Sequence, residues 1–275
     1  MFKQAKNVKT ISSCVLLLLF LLLPLSVGSQ PALAQEALES LNSTESGVFA
    51  RGELAYVSDE KDLGSESYEL VKRDSGEIVL ISEGVVTPPI PIPFVNPKIK
   101  FDQEIKVGED LFPRTIKLNY DGPLGIGSDK IRATVQNGQI DADLGGERKE
   151  AELESIDSFF QGTGGAQALT ALILSKKDGL EEIVEIRTGG TGPQSGDEDR
   201  LKAYLELKRK DTRELEFEGS GTREVNRYVL NDPGSDVDKV ILADGGTFIA
   251  YLRLGGENPF YVYRSDLLGE DYEFN

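Results

Sequence analysis

The chain has 275 residues, a net charge of -17 and a pI near 4.5, which bounds it to one long domain or two modest ones. This charge argues against nucleic acid as a partner, because phosphate backbones are bound by clustered Lys and Arg. Histidine and tryptophan are absent, and Cys14 and Met1 are the only cysteine and methionine. Composition alone therefore excludes several classes of protein without naming a function.

The first 34 residues have the pattern of a secretory signal peptide. Three lysines precede the apolar run Val15 to Leu25, and Ala32-Leu33-Ala34 supplies the small residues of a cleavage site. We expect cleavage after Ala34 and export to a periplasmic or extracellular location. The alternative is a retained membrane anchor, although the run is shorter than the roughly 20 residues that span a bilayer. No stable membrane span is expected after cleavage.

Beyond residue 34 the chain contains neither cysteine nor histidine. This excludes disulfides, thiolate chemistry and zinc fingers from that part, and also a Ser-His-Asp triad, whose general base is histidine. Carboxylates, Lys, Tyr, Ser and Thr remain as candidate catalytic groups, but no motif ranks the 47 acidic residues. We predict no catalytic residue, cofactor or metal ligand. The acidic turn at residues 232–238 is interpreted as solvated, with a calcium site as the alternative.

Residues 35–47 are polar and small, which predicts a flexible arm before a single β-rich domain, residues 48–275. In that domain the first clear element is a hairpin that turns at Asp74-Ser75-Gly76 and sets Val71 opposite Val79. Two further strands are expected within residues 99–120, where apolar and charged residues interleave.

The clearest hairpin turns at Asn137-Gly138, because Asn and Gly best tolerate the positive φ of a type I′ turn. Counting outward from this turn pairs Ile131 with Leu144 on a buried face and Arg132 with Asp143 on a solvated face.

One helix interrupts the strands. Ala and Leu recur at helical spacing from Gly165 to Lys176, and a buried strand at Leu169 to Leu174 is the alternative. The glycines of Gly162-Thr163-Gly164-Gly165 are interpreted as a flexible lead-in. Their alternative role is to bind an anion with the amides at the start of the helix.

Three more strand segments follow the helix. We predict a hairpin within residues 201–218 that turns at Lys210-Asp211-Thr212 and sets Leu207 opposite Leu215. A second hairpin turns at Gly245-Gly246, with Leu242 opposite Ile249, Val240 opposite Tyr251 and Ala243 opposite Phe248. The last strand is Phe260 to Arg264. The expected fold class is mainly β, a curved antiparallel sheet or open barrel with one packed α-helix.

The order of these features resembles that of a group of uncharacterised exported bacterial β-rich proteins with an open or flattened barrel. The resemblance is carried by Leu118-Asn119-Tyr120-Asp121-Gly122-Pro123-Leu124-Gly125, by Asp157-Ser158-Phe159-Phe160 before the helix, and by Pro259-Phe260-Tyr261-Val262-Tyr263 near the end. It spans about residues 65 to 265 and is similar in outline to the periplasmic lipoprotein carriers. It implies a curved sheet around a helix, with an interior that in some such families holds acyl chains.

Three phenylalanines are the candidate ligand-binding residues. Phe94 lies in the proline-rich stretch Thr87 to Pro97, which is interpreted as a stiff crossing or, alternatively, as the lip of a groove. Phe159 and Phe160 precede the helix and are interpreted as core anchors or as part of an apolar pocket.

The resulting hypothesis is an exported, non-catalytic protein that binds an amphiphilic or apolar ligand, or a lipid-modified partner, within a curved β-sheet. The first alternative is a structural or assembly protein of the cell envelope that acts through protein contacts. The second is a hydrolase that uses two carboxylates. The oligomeric state is not determined by the sequence.

Overall fold

The computed structural model describes residues 45–58, 61–87, 98–123, 129–153, 158–161, 163–177, 180–187, 202–231, 237–255, 259–270 and 272–274. The predicted signal peptide and Phe94 lie outside these residues, as do Asp232 to Asp236 of the acidic turn. Within the described part, no helix is long and apolar enough to cross a membrane.

The described chain is dominated by one sheet of 15 strands. Its first eight strands are β1 (Gly47–Ser58), β2 (Lys61–Lys72), β3 (Ile78–Val86), β4 (Ile99–Val107), β5 (Pro113–Asp121), β6 (Asp129–Gln136), β7 (Gln139–Leu144) and β8 (Glu147–Glu152). The other seven are β9 (Ser158–Gln161), β10 (Glu182–Arg187), β11 (Lys202–Phe217), β12 (Gly221–Asn231), β13 (Asp238–Asp244), β14 (Thr247–Leu254) and β15 (Phe260–Arg264). Two helices accompany them in the described part of the chain, α1 (Gly164–Lys176) and the single turn α2 (Ser265–Leu268).

The strand order is β8-β7-β6-β5-β4-β3-β2-β1-β15-β14-β13-β12-β11-β10-β9, so β1 and β15 join the two halves of the sheet. Neighbouring strands are antiparallel except β9 and β10, which are parallel because α1 connects them. The end strands β8 and β9 do not pair with each other in the described residues, so the sheet is open. This confirms the expected fold class and adds one parallel pair and a second short helix.

Helix α1 fills the concave side of the sheet. Its residues from Gly164 to Leu174 are all buried, and they share one apolar core with inward side chains of strands from β1 to β8 and from β10 to β15. The helix is apolar on every side, which is the pattern of a helix enclosed by protein. The observed bounds confirm the helix prediction over the strand alternative for Leu169 to Leu174.

The outer face of the sheet differs between its two halves. On β11 to β15 it carries a second apolar cluster that includes Leu215, Phe217 and Tyr263. This cluster is covered by residues 265–270 and 272–274, which we call the C-terminal strap. Leu268, Tyr272 and Phe274 of the strap pack against it, and the Tyr263 hydroxyl donates a hydrogen bond to the carbonyl of Glu270. The outer face of β1 to β6 carries mainly charged side chains.

Local turn chemistry correctly predicted two hairpins of the sheet. Val71 lies opposite Val79, and in the Asn137-Gly138 hairpin Ile131 lies opposite Leu144 and Arg132 opposite Asp143. Asn137 has a φ of 52° and Gly138 a φ of 75°, as a type I′ turn requires. Strands β4, β5 and β15 also confirm the predicted segments at residues 99–120 and Phe260 to Arg264.

The predicted turn at Lys210-Asp211-Thr212 is wrong. These residues lie inside the long strand β11, where Lys210 is opposite Tyr228 rather than at a bend. The chain reverses instead at Glu218 to Ser220, where Gly219 and Gly221 adopt positive φ. Glycine adopts positive φ without the steric strain that a side chain would add, whereas none of the three residues at the predicted turn favours positive φ as glycine does.

The register predicted around Gly245-Gly246 is only partly correct. Ala243 is opposite Phe248 as expected, but a bulge after Leu242 then shifts the pairing by one residue. Leu242 therefore faces Ala250, and Val240 faces Leu252. A bulge inserts an unpaired residue, which counting from a turn does not anticipate.

Candidate binding surface

A concavity in the described residues lies on the outer face of β1 to β6. It has a volume of about 820 Å³, and we call it the outer groove. Its charged lining consists of Arg51, Glu53, Glu69, Glu83, Asp102, Glu104, Lys117, Arg132 and Asp266. Three cations and six carboxylates thus line the groove, so its net charge is negative, as is that of the whole chain.

The register of the sheet aligns these side chains in two rows. Because alternate residues of a strand point to opposite faces, outward residues that pair across the strands form continuous lines. One row contains Glu69, Ile81, Glu104, Lys117 and Arg132, each the Cα partner of the next. The adjacent row contains Glu53, Ser67, Glu83, Asp102 and Asn119, paired in the same way.

Glu83 and Asp102 are exposed carboxylates directly opposite each other in the second row. Like charges in this position destabilise a sheet. The Asp102 carboxylate accepts a hydrogen bond from the Asn119 amide, and no described cation forms an ion pair with Glu83. A comparable pair, Glu214 and Glu224, lies on the β11–β12 hairpin, so opposed carboxylates alone do not mark a site. At Glu83 and Asp102 they coincide with a groove that further carboxylates line.

The first row contributes two cations, Lys117 and Arg132, and one exposed apolar side chain, Ile81, to the groove. Lys117 donates a hydrogen bond of 2.8 Å to Glu104, and this contact holds the pKa of the Glu104 carboxyl below its ordinary value. Ile81 is 43% exposed and lines the groove. A bound molecule would therefore meet carboxylates beside an exposed aliphatic side chain.

A buried arginine holds Asp266, which lines the outer groove. Arg264 donates two hydrogen bonds of 2.7 Å to the carboxylate of Asp266 and one of 3.1 Å to the hydroxyl of Tyr68. Its guanidinium also stacks over the Tyr68 ring. A Cβ on Gly52 would lie 2.2 Å from the Nε atom of Arg264, so only glycine leaves room for this arrangement. The strap is thereby fixed at the rim of the groove.

Beneath the groove, on the inner face, the buried carboxylate of Glu66 caps helix α1. Glu66 accepts a hydrogen bond of 3.1 Å from the Gly165 amide and another from the Tyr56 hydroxyl, which itself accepts one of 2.6 Å from the Gly164 amide. Burial raises the pKa of the Glu66 carboxyl, while the hydrogen bonds from the Tyr56 hydroxyl and the Gly165 amide oppose that rise. Of the amides proposed from sequence as an alternative anion site, that of Gly165 thus binds this chain's own carboxylate, and that of Gly164 binds the Tyr56 hydroxyl.

The sequence-predicted site residues do not meet at the outer groove. Phe94 lies outside the described residues. Phe159 and Phe160 belong to the edge strand β9, which pairs with β10. The structure describes the backbone of these two residues but not their side chains. The prediction that the three phenylalanines bind a ligand therefore stays a prediction.

Sequence reasoning missed the outer groove. Alternating charges in β4 and β5 signalled a solvated face, and the groove residues are part of that signal. Glu83 and Asp102 are opposite each other because β3 pairs with β4. Residues 87–98 connect these two strands, and the register of the pair could not be predicted from a connection of that length and proline content. No turn motif was available there to count from.

No family model matches the chain, and no curated protein matches it either. Among solved structures, it is similar to a β-barrel-like protein of a domain of unknown function, DUF1849, from Brucella abortus. The identity is 9%, the coverage is 78% of this chain and 94% of the other, and the TM-score is 0.48. A DUF1089 family protein from Pseudomonas aeruginosa is also similar, with 15% identity, coverage of 71% and 87%, and a TM-score of 0.39. Neither is described as a lipoprotein carrier.

Proposed function

We propose that this chain is an exported, non-catalytic binding protein of the cell envelope that docks a cationic segment of a protein partner in the outer groove. The observation that carries the proposal is the acidic lining of that groove, in which Glu83 and Asp102 oppose each other at a cost to the sheet. Positive side chains of a partner would remove this repulsion. Contacts that destabilise the free protein are expected at its binding sites, because the bound partner compensates for them.

The dimensions of the outer groove suit an extended polypeptide. Adjacent strands lie about 4.8 Å apart, so the distance across β1 to β6 is roughly 24 Å. An extended chain covers this distance with about seven residues at roughly 3.3 Å per residue. The exposed Ile81 would contact an apolar side chain of that segment, and Lys or Arg on either side would meet Glu83, Asp102 and Glu69.

The packing of α1 favours this proposal over a ligand held inside the sheet. The helix occupies the concave side, and its apolar side chains from Ala166 to Leu174 are buried in the core. An amphiphile bound there would have to displace part of the helix, at the cost of exposing that core. Glu83 and Asp102 also make a poor pair for glycoside hydrolysis, because both are exposed and such enzymes hold one carboxyl protonated in a shielded environment.

The proposal is tested with a seven-residue peptide that alternates Lys and Ser around a central Leu. Its binding to the purified chain is measured by fluorescence anisotropy at low and physiological ionic strength. We expect saturable binding that weakens with salt, and no binding of a peptide with Glu in place of Lys. Glu83→Lys should reduce the affinity at least tenfold.

Glu214→Lys is the matched control, since Glu214 also opposes a carboxylate but lies outside the groove. Equal losses in the two variants would show that only net charge matters and would contradict the proposal. Native mass spectrometry of the same preparation tests the competing hypothesis. A stoichiometric lipid, together with no peptide binding, would favour a carrier of amphiphiles.

A further inference from the structure

A second concavity lies where the ends of three elements meet, away from the outer groove. It has a volume of about 430 Å³ and is lined by Lys72 at the end of β2, by Lys176 and Lys177 at the end of α1, and by the turn between β4 and β5. We call it the lysine pocket. None of its lining residues belongs to the outer groove.

The lysine pocket has three positively charged side chains, although the chain as a whole has a net negative charge. Acidic residues outnumber basic ones by 47 to 30 overall, yet basic side chains predominate here. Glu109 and Asp110 also line the pocket, but the Asp110 carboxylate already accepts a hydrogen bond of 2.9 Å from Arg114 and one of 3.0 Å from the Phe112 amide. Lysines favour the C-terminal end of a helix, which accounts for Lys176 and Lys177 but not for Lys72.

Lys72 and Lys176 influence each other electrostatically. Partial burial and then the charge of Lys72 lower the pKa of the Lys176 ammonium. Two ammonium groups that repel each other across a pocket would both gain from an anion placed between them.

The opposite wall of the pocket contains a bulky residue in an unfavourable backbone conformation. Leu111 has a φ of 62°, in the left-handed region that usually requires glycine or asparagine. Its amide donates a hydrogen bond of 2.9 Å to the carbonyl of Gly108, and its side chain is buried in the main core. Backbone strain of this kind is concentrated at functional sites.

We propose that the lysine pocket binds a small anion of the phosphate type, with Lys72, Lys176 and Lys177 as its charged ligands. Lysine recognises phosphate as a flexible point charge with three donors, so three lysines that line one pocket can coordinate several oxygens of one anion. The strongly acidic remainder of the chain disfavours an anionic membrane surface and favours a small anion that fits within the pocket. This inference is independent of the proposed function of the outer groove.

The test uses inorganic phosphate and the full chain. NMR signals of the lysine ammonium groups are followed as phosphate is added, with chloride at matched ionic strength as the reference. We expect the signals of Lys72, Lys176 and Lys177 to shift together and saturably, while that of Lys117 in the outer groove does not. The pKa of Lys176 should rise when phosphate is bound.

Affinity is then measured by calorimetry for Lys72→Gln and for the control Lys117→Gln. We expect at least a tenfold loss for the first variant and less than a twofold change for the second. A parallel titration with phosphatidylglycerol vesicles, against phosphatidylcholine vesicles, distinguishes a lipid headgroup from free phosphate as the source of the anion. If neither phosphate nor vesicles shift the three lysine signals more than chloride does in the unmodified chain, the inference is overturned.

Discussion

The amide of Gly165 donates a hydrogen bond to the carboxylate of Glu66, a residue 99 positions earlier in the chain. This contact joins β2 to the first turn of α1 in the interior of the sheet. A helix start leaves several amides without partners inside the helix. The helix dipole would favour a negative charge there, but burial outweighs that effect at Glu66 and raises its pKa. Glu66 thus satisfies a requirement that the buried α1 could not meet with water.

Gly165→Ala should destabilise the protein, although alanine favours helices over glycine by about 1 kcal/mol. A Cβ at this position would lie 2.7 Å from the Glu66 carboxylate and 3.1 Å from the Cβ of Ser82. Overpacking of this kind costs about 1–3 kcal/mol, so we expect a net loss of about 1–2 kcal/mol in urea unfolding. The same substitution in a Glu66→Ala background should cost less. Stabilisation by Gly165→Ala would show that the carboxylate does not lie against the helix start.

Glu66→Gln should change how stability depends on pH. The pKa of Glu66 is raised in the folded protein above its ordinary value of 4.5, so the folded state holds this proton more tightly than the unfolded state. The stability from Glu66 is therefore fully present below about pH 4.5 and is lost as the pH rises through the folded pKa. The neighbouring tyrosines are neutral throughout this range, and burial raises the pKa of Tyr120 further, to about 12.

The measurement is the difference in unfolding free energy between the unmodified chain and Glu66→Gln from pH 4 to pH 8. We expect this difference to shift against the unmodified chain as the pH rises. A constant offset of about 1 kcal/mol should remain, since Gln cannot accept the hydrogen bond from the Tyr56 hydroxyl in the same way. A difference that does not vary with pH would contradict the assignment of the titrating group.

Lys239→Met should be strongly destabilising. Lys239 and Glu185 form an ion pair between β13 and β10, and both side chains are buried. Removing one partner leaves a buried charge, which costs about 3–5 kcal/mol. The double variant Lys239→Met, Glu185→Met should lose much less, because no charge is then left behind. The comparison is made by chemical unfolding, and similar losses in both variants would indicate that packing rather than charge dominates.

Gly52→Ala should release Arg264 from Tyr68 and Asp266. The added Cβ would occupy the position of the guanidinium, and the displaced arginine would lose hydrogen bonds that each contribute about 1.5–3 kcal/mol to stability when charged. We expect a loss of about 2–3 kcal/mol. In an Arg264→Ala background, Gly52→Ala should have little further effect, and the coupling between the two positions is read from a double-mutant cycle. Additive losses would contradict the proposed contact.

The sequence by itself determined the features that depend on neighbouring residues. Asn137-Gly138 predicted its hairpin and register because a type I′ turn restricts both positions to positive φ. Composition and apolar spacing predicted α1, and alternation predicted most strands, since each follows from local propensity and the period of the element. Together these were enough for a mainly antiparallel sheet with one packed helix, whereas the curved and open form of the sheet was expected from the resemblance.

Only the tertiary structure decided which distant residues meet. The bulge after Leu242 and the continuation of β11 through Lys210 follow from packing against other strands, which no local pattern encodes. No sequence pattern marked Glu66, yet β2 turns it inward onto the start of α1. Glu83 and Asp102 became opposed only when β3 paired with β4. Contacts across long stretches of chain depend on the register of whole strands, and a sequence fixes that register only where a turn or a buried face specifies it.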